Sequence, residues 1–409
     1  MLDRLRRLSL VAALAYAPIA TVVHAEALSL DSCLAIALAR NPDVHAADFD
    51  FAAAAARARQ AGAWDPLSAS WSVAKLGSPL GNSERDESIR LNQDIPGPGQ
   101  RSGALRVARA ERDRVGAERD LARLRLRGDV IRAYRRLQAE TMSLRSIREL
   151  GGTARDLEQM IGIRLRSGGA RYLDVLRARS ERSRIENDAI EAERALLEER
   201  RTLNALLGRE IESGLEAADS LAYTPLDVPL DSVLSRARRT RPGLAAARLQ
   251  LAREEAFGAH VRASRWPALS ASAGWDRVAG VPNGGFGGEI GVSLPFLPWT
   301  AARARSSEAT ALRDAAGARL RAADRSLETR LRNAYASART AEVQVRQFED
   351  LLLADGRDAI RTAIQNYQAG QIEGLELFET LRTLRSIQLE HIRALLNYEL
   401  ALTDLEVEE

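Results

Sequence analysis

Leu67-Ser68-Ala69-Ser70 returns 202 residues later as Leu269-Ser270-Ala271-Ser272, and each copy opens a run of alternating apolar and small polar residues. In 67–75, Leu67, Ala69, Trp71 and Val73 alternate with Ser68, Ser70, Ser72 and Ala74. In 269–277, Leu269, Ala271, Ala273 and Trp275 alternate with Ser270, Ser272, Gly274 and Asp276. A period of two with one small or polar face predicts β-strands. Partner strands are predicted over 88–95, with Ile89, Leu91 and Ile95 on one face, and over 286–294, with Phe286, Ile290, Val292 and Leu294 on one face. The stretches 77–87 and 279–285, rich in Gly, Pro, Asn and Ser, read as loops. Four strands of roughly nine residues follow, each long enough to cross a bilayer when tilted.

The repetition spreads outward from these strands. Asn41-Pro42 is answered by Arg241-Pro242, and Ala133-Tyr134 by Ala334-Tyr335. Gly168 through Leu173-Asp174-Val175-Leu176 is answered by Gly370 through Leu375-Glu376-Leu377-Phe378. The offset stays between 200 and 202 residues, too long for a solenoid unit, so the chain reads as a tandem duplication. The halves are 26–208 and 230–409, joined by a linker over 209–229. Each opens with an Ala-rich helix, to about Ala63 and about Ala263, for which Asp31 and Asp231 are the expected N-caps. Each closes with a long helical hairpin, 100–207 and 299–405. Pro98 is followed by no proline until Pro225, and Pro298 by none to Glu409. Apolar residues recur a heptad apart, at Val130, Leu137 and Leu144 and again at Ile147, Ala154 and Ile161. Breaks fall at Gly168-Gly169 and near Gly370. The first helix of each hairpin has about 65 residues, or about 95 Å at 1.5 Å per residue, too long for a compact domain. Each hairpin is therefore expected to project from the strands as a coiled coil.

Bulk properties narrow the function. Arg4, Arg6 and Arg7 precede an apolar run, Leu8 to Val23, and Val23-His24-Ala25 offers a small-residue cleavage site, so residues 1–25 read as a secretory signal. Removing three Arg and one Asp with it lowers the formal net charge from +3 to +1. Lys75 is the only lysine, and the arginines are interspersed with Asp and Glu, as on solvated helix faces and unlike a nucleic-acid groove. Cys33 is the only cysteine, so no internal disulfide forms, and Asp31 in the preceding Leu30-Asp31-Ser32 fits a lipidation site poorly. There is no Ser/His/Asp set and no metal-ligand cluster, so neither a cofactor nor an enzyme activity is expected. All five tryptophans (Trp64, Trp71, Trp266, Trp275, Trp299) lie in or beside the strand segments, where membrane aromatic belts place them. Trp71 and Trp275 are the expected membrane-interface residues.

Four membrane strands cannot close a barrel, and an open sheet edge is untenable in lipid. Copies of the chain must share one barrel and one helical bundle. With that plan, the residues resemble the TolC-like outer-membrane efflux family over about 28–405. Gln93-Asp94-Ile95-Pro96-Gly97-Pro98-Gly99-Gln100-Arg101 is similar to the strand-to-helix segment of its CzcC-like branch, and Ser293-Leu294-Pro295-Phe296 is the second-half counterpart. Leu203-Asn204-Ala205-Leu206-Leu207-Gly208 is similar to a helix end of the same family.

The resemblance implies an α+β membrane protein: a homotrimer with a twelve-stranded barrel in outer-membrane lipid and a helical tunnel through the periplasm. It also implies an exit duct working with a periplasmic adaptor and an inner-membrane transporter of the resistance-nodulation-division type. At the hairpin turns, Arg164, Leu165 and Gly168, with Tyr367 and Gly370, resemble the tips that meet the adaptor, although the glycines also serve simply to end helices. Glu376 and Glu379 share a helix face just past the second turn and match the carboxylates that ring the periplasmic constriction. Two departures stand beside this. Ile372 occupies a position that is basic in some relatives, and the first-half counterparts of the two glutamates are Asp174 and Arg177. A protein-secretion duct of the same fold and a periplasmic coiled-coil adaptor are the competing readings.

Overall fold

The computed structural model describes residues 26–77, 83–277, 284–295 and 299–408. The expected signal segment 1–25 lies outside them, as do parts of the two strand-connecting loops. In chain order the elements are β1 (Glu26–Leu28), α1 (Leu30–Arg40), α2 (Pro42–Gln60), β2 (Ser68–Gly77), β3 (Ser83–Ile95), α3 (Gln100–Arg166) and α4 (Tyr172–Leu206). The second half follows with β4 (Leu215–Ala217), α5 (Leu230–Thr240), α6 (Pro242–Ala263), β5 (Ala268–Arg277), β6 (Gly285–Ser293), α7 (Trp299–Gln347), a π-helical turn (Phe348–Leu352), α8 (Leu353–Ala369) and α9 (Gly374–Glu408). The duplicated plan is therefore a structural one.

Several expectations are corrected. The opening helix of each half is two helices, because Pro42 and Pro242 lack the N–H that a continuous helix needs and sit at the first position of α2 and α6. Ser29, whose hydroxyl accepts from the Ser32 N–H at 3.3 Å, caps α1 in place of Asp31, and Pro229 precedes α5 in place of Asp231. Both aspartates instead occupy the first turn, where a negative charge favours the helix dipole. β3 begins at Ser83, so part of the expected loop 77–87 continues the ladder beyond the apolar segment. The linker 209–229 contains β4, which pairs in parallel with β1. The long helix after Trp299 is interrupted by the π turn, whose wider winding brings Phe348 onto the His391 ring (6.1 Å) and Glu349 to 3.6 Å from His391 Nε2.

The four long strands form one antiparallel sheet in the order β2-β3-β5-β6. Below it α3 runs unbroken for 67 residues, about 100 Å. The six heptad residues Val130, Leu137, Leu144, Ile147, Ala154 and Ile161 are all buried. α2 stands end-on over α4: the Asn41 side chain caps α2 through the Asp43 N–H (2.9 Å) and donates to the Leu206 carbonyl (3.0 Å). Gly208 (φ 63°) turns the chain there so close to Arg40 that a Cβ would lie 2.8 Å from its carbonyl oxygen. In the second half Leu244 of α6 shares a buried cluster with Ala401 and Leu405 of α9, and Arg241, which precedes α6, makes no side-chain cap. The apolar core is a string of clusters along this length. One gathers α1 and β1 against α3 and α4, one gathers α5 against α7 and α9, and one fills the lower hairpins. The chain exposes 25950 Å², against about 15,600 Å² for a compact monomer of its 44.7 kDa mass. It is one stave of something larger.

Candidate functional site at the hairpin tips

Both hairpins end by the same device. Gly168 (φ 76°) and Gly370 (φ 79°) adopt the left-handed conformation. The Gly169 N–H donates to the Arg164 carbonyl (2.8 Å) and the Gln371 N–H to the Asn366 carbonyl (2.9 Å), which closes each helix. The local reason for both glycines is thus helix termination.

The two tips are then fastened to each other. The Arg164 guanidinium donates to the Tyr367 carbonyl and lies over the Tyr367 ring at 5.0 Å. Tyr367 is buried, and burial, reinforced by the nearby Asp174 carboxylate, pushes its hydroxyl above the usual phenol range. Leu165 is half-buried against the hairpin core together with Ile372. Of the expected tip residues, Arg164, Leu165 and Tyr367 are thus internal struts, while Gly168 and Gly370 are exposed. Arg171 pairs with Glu373 at 2.7 Å. Asp174 accepts from the Arg171 N–H (3.3 Å) and lies so close to Gly374 that a Cβ there would stand 2.7 Å from its Oδ1.

Further up, Arg382 meets the buried Glu181 (2.8 Å) and Arg385 meets Asp188 (2.8 Å). Asp174, Glu181 and Asp188 are seven residues apart, one acidic stripe of α4 that grips α9. Sequence reasoning did not assign that stripe, although its heptad spacing was there to read.

Glu376 and Glu379 sit on the other side of α9. Leu377 and Phe378 between them are buried in the hairpin core, whereas both glutamates are exposed, and among the described residues neither forms an ion pair. Their first-half counterparts do different work: Asp174 caps α4, with Arg177 3.8 Å from its carboxylate. No group of three or more His, Cys, Asp or Glu that could hold a metal occurs among the described residues.

The sheet has its own order. Register aligns Trp71, Ile89, Trp275 and Phe286 in one row across the four strands. Leu91 and Ala273 follow on the same face, then Ile290 beside Ala271, then Ile95 and Val292 beside Leu269. The opposite face carries Ser70, Ser72, Ser88, Arg90, Asn92, Ser272, Asp276 and Glu289, and Arg90 reaches Asp276 at 3.6 Å. Trp64, Trp266 and Trp299, all exposed, lie at the base of the sheet. No helix among the described residues is long and apolar enough to cross a membrane.

The profile of the outer membrane efflux protein family matches residues 34–209 and again 233–407, once for each half. The chain belongs to the outer membrane efflux protein family. Its sequence is 24% identical over 315 residues to the cobalt-zinc-cadmium resistance protein CzcC of Cupriavidus metallidurans, covering 76% of this chain and 74% of that one. Its fold is similar to a membrane protein from Pseudomonas aeruginosa (TM-score 0.82, 18% identity, 94% of this chain and 93% of that one). It is equally similar to CusC, described with a transmembrane channel (TM-score 0.81, 18% identity, 94% and 92%). The protein is thus an outer-membrane channel subunit with a helical tunnel on the periplasmic side. Channels of this family are trimers that work with an adaptor and an inner-membrane pump.

Proposed function

We propose that three copies of this chain form the exit duct of a tripartite efflux system, with the hairpin tips as its periplasmic gate. The duct passes metal ions or small toxic compounds outward, driven by an inner-membrane transporter of the resistance-nodulation-division type. It performs no catalytic step, since the energy comes from the transporter. Similarity to CzcC supports the metal cargo. The tips, with Gly168 and Gly370 outermost and Arg164, Leu165 and Tyr367 shaping them from within, receive the adaptor. Trp71, Trp275 and Phe286 mark one lipid headgroup level, and Trp64, Trp266 and Trp299 the other. Trp266 and Trp275 are nine residues apart, which at about 3.3 Å per residue and a tilt of about 40° gives roughly 23 Å of bilayer.

One observation carries the gate reading. At a tip where most charged groups are paired, Glu376 and Glu379 project unpaired from the face of α9 opposite its core. Three copies bring six carboxylates around one opening, which favours cations and attracts divalent ions. The test is ion selectivity and divalent blockade of single channels in planar bilayers, comparing the parent with Glu376→Gln/Glu379→Gln. Loss of both cation preference and blockade is expected. Unchanged values in an intact trimer would rule the carboxylate ring out.

A further inference from the structure

The second hairpin departs from the first at one level. α3 runs unbroken for 67 residues, whereas α7 and α8 are joined by the π turn Phe348–Leu352. At the corresponding height of the first half, 200–202 positions earlier, Ile147 and Leu150 are buried in the hairpin core. No residue of the π turn is buried, although Ala341 and Val345 above it and Gly356, Ile360 and Ala363 below it are. The turn is a weakly anchored segment, of the kind that opens locally at low cost.

Its contact with α9 centres on one ring. Ile387 of α9 lies against Gly356 of α8, where a Cβ would stand 3.3 Å from it, and Leu395 and Tyr398 pack with Ala341 and Val345. Between these two contacts His391 takes the level of the turn. The Phe348 ring lies 6.1 Å from it, and Glu349 Oε1 is 3.6 Å from Nε2. The imidazole is 14% exposed, and Nε2 is sealed from water with no hydrogen-bond partner among the described residues. At 3.6 Å Glu349 is beyond hydrogen-bond reach.

Few charges bear on that ring. Glu349 and Arg357 act on it from the π turn and from α8, and Asp350 beside Glu349 is exposed. On α7, Arg346 is tied to Glu342 (2.7 Å) and to the Tyr223 hydroxyl (2.7 Å). On α9 itself Glu390 accepts from the Ser386 hydroxyl (2.8 Å), and Arg393 lines a cavity against α3 and α4 with Glu140. α3 presents the uncharged Met142 and Ser146, the latter bonded to Gln388, and α4 reaches α9 lower down through Asp188 and Arg385. Burial outweighs the Glu349 carboxylate and, with Arg357, holds the imidazole below its usual range. A folded value below 6.5 means that the packed turn is fully stable above about pH 6.5 and loses stability as pH falls from there toward the folded value.

We propose that this segment is an acid-sensitive joint of the second hairpin. A neutral His391 seats the π turn on α9; a proton on the ring unseats the turn and frees α8 and the Gly370 tip beneath it. An imidazolium needs acceptors for both of its N–H groups, and the packed site offers Nε2 none within reach. Moving the turn outward lets water supply them and uncovers little apolar surface, because the turn buries no residue. The inference rests on the gate reading for its consequence. Glu376 and Glu379 lie just past that tip, so a freed α8 leaves the gate less tightly held, and acid opens it.

The test is hydrogen exchange of the full-length trimer, read by mass spectrometry at about pH 5 and about pH 7.5 and corrected for the intrinsic effect of pH on exchange. The peptide carrying Phe348–Leu352 is expected to exchange at least about threefold faster in acid, while the α3 segment around Ile147 stays unchanged. His391→Gln, which keeps a neutral polar side chain, should abolish the difference. Glu349→Gln, which removes the carboxylate beside the ring, should enlarge it. A parent without the difference, or a difference retained in His391→Gln, overturns the joint. So does an equal rise in the α3 segment, which would be general loosening, or slower exchange in acid, which would mean that Glu349 closes on the ring. If His391→Gln does not assemble, Glu349→Gln decides, and a difference that is not enlarged overturns the joint. In planar bilayers acid should raise the open probability of the parent at least about threefold more than that of His391→Gln; equal responses overturn control of the gate. Exchange at the turn does not involve Glu376 or Glu379, so a failure of the gate reading, seen in ion selectivity, is told apart from a failure of the joint.

Discussion

Replacing Gly374 by Ala tests the clasp between the two hairpins. Gly374 is buried as the first residue of α9, and a Cβ built there stands 2.7 Å from Asp174 Oδ1, 2.9 Å from its Cγ and 3.2 Å from its Cβ. Two responses are open. If Asp174 stays, α4 and α9 must separate by several tenths of an ångström, an overpacking cost of about 1–3 kcal/mol. If Asp174 swings away, it gives up the Arg171 N–H and the cap of α4, about 0.5–2 kcal/mol. Against this, Gly→Ala at a permitted backbone conformation stabilises by about 0.4–1 kcal/mol through the unfolded chain. That gain acts on the unfolded chain and is common to the clasped and open states, so the clasped state should lose about 0.5–2 kcal/mol per copy by the cheaper route, roughly a 2- to 30-fold shift in the closed-to-open ratio for each hairpin pair. Single-channel recording should show a raised open probability for Gly374→Ala. Gly374→Ala/Asp174→Ala, which removes the colliding carboxylate, should shift less than the sum of the two single changes. Strict additivity, or a conductance record indistinguishable from the parent, would refute the argument that this contact holds the tips together.

Two further outcomes follow from the helical body. Gly208→Ala combines a left-handed backbone with a Cβ 2.8 Å from the Arg40 carbonyl oxygen, so it should cost about 2–4 kcal/mol and lower the thermal midpoint of the extracted trimer. Burial pushes the Glu199 carboxyl upward, and burial together with the Glu199 charge does the same to Glu140. Folded values above 4.5 mean that this contribution to stability is full below about pH 4.5 and is lost as pH rises through the raised values. Glu199→Gln should therefore gain on the parent in thermal midpoint at pH 7.5 relative to pH 5; an equal difference at the two pH values would contradict it.

Most of the stave was legible in the chain. Period-two alternation around Trp71 and Trp275 gave the sheet, and heptads such as Val130–Leu137–Leu144 gave the hairpins, because both patterns record which side of a local element meets water. The Gly168 and Gly370 turns were legible for the same local reason. The helix starts were read two residues late at Asp31 and Asp231, because an aspartate suits a first turn as well as a cap. The π turn was not legible at all. Nothing in Phe348-Glu349-Asp350-Leu351-Leu352 breaks a helix, and the residue that Phe348 and Glu349 meet, His391, lies 42–43 residues away along the chain.

At the tip the sequence by itself determined the ingredients: two glycine turns, an arginine before the first, and two glutamates after the second. Only the tertiary structure decided their roles. It turned Arg164 and Tyr367 inward as struts, made Asp174 a cap wedged against Gly374, and left Glu376 and Glu379 unpaired and exposed. The physical reason is that period and propensity are properties of one helix. Whether a charge is paired, buried or free depends on which residue the other hairpin sets opposite it, some 200 positions away.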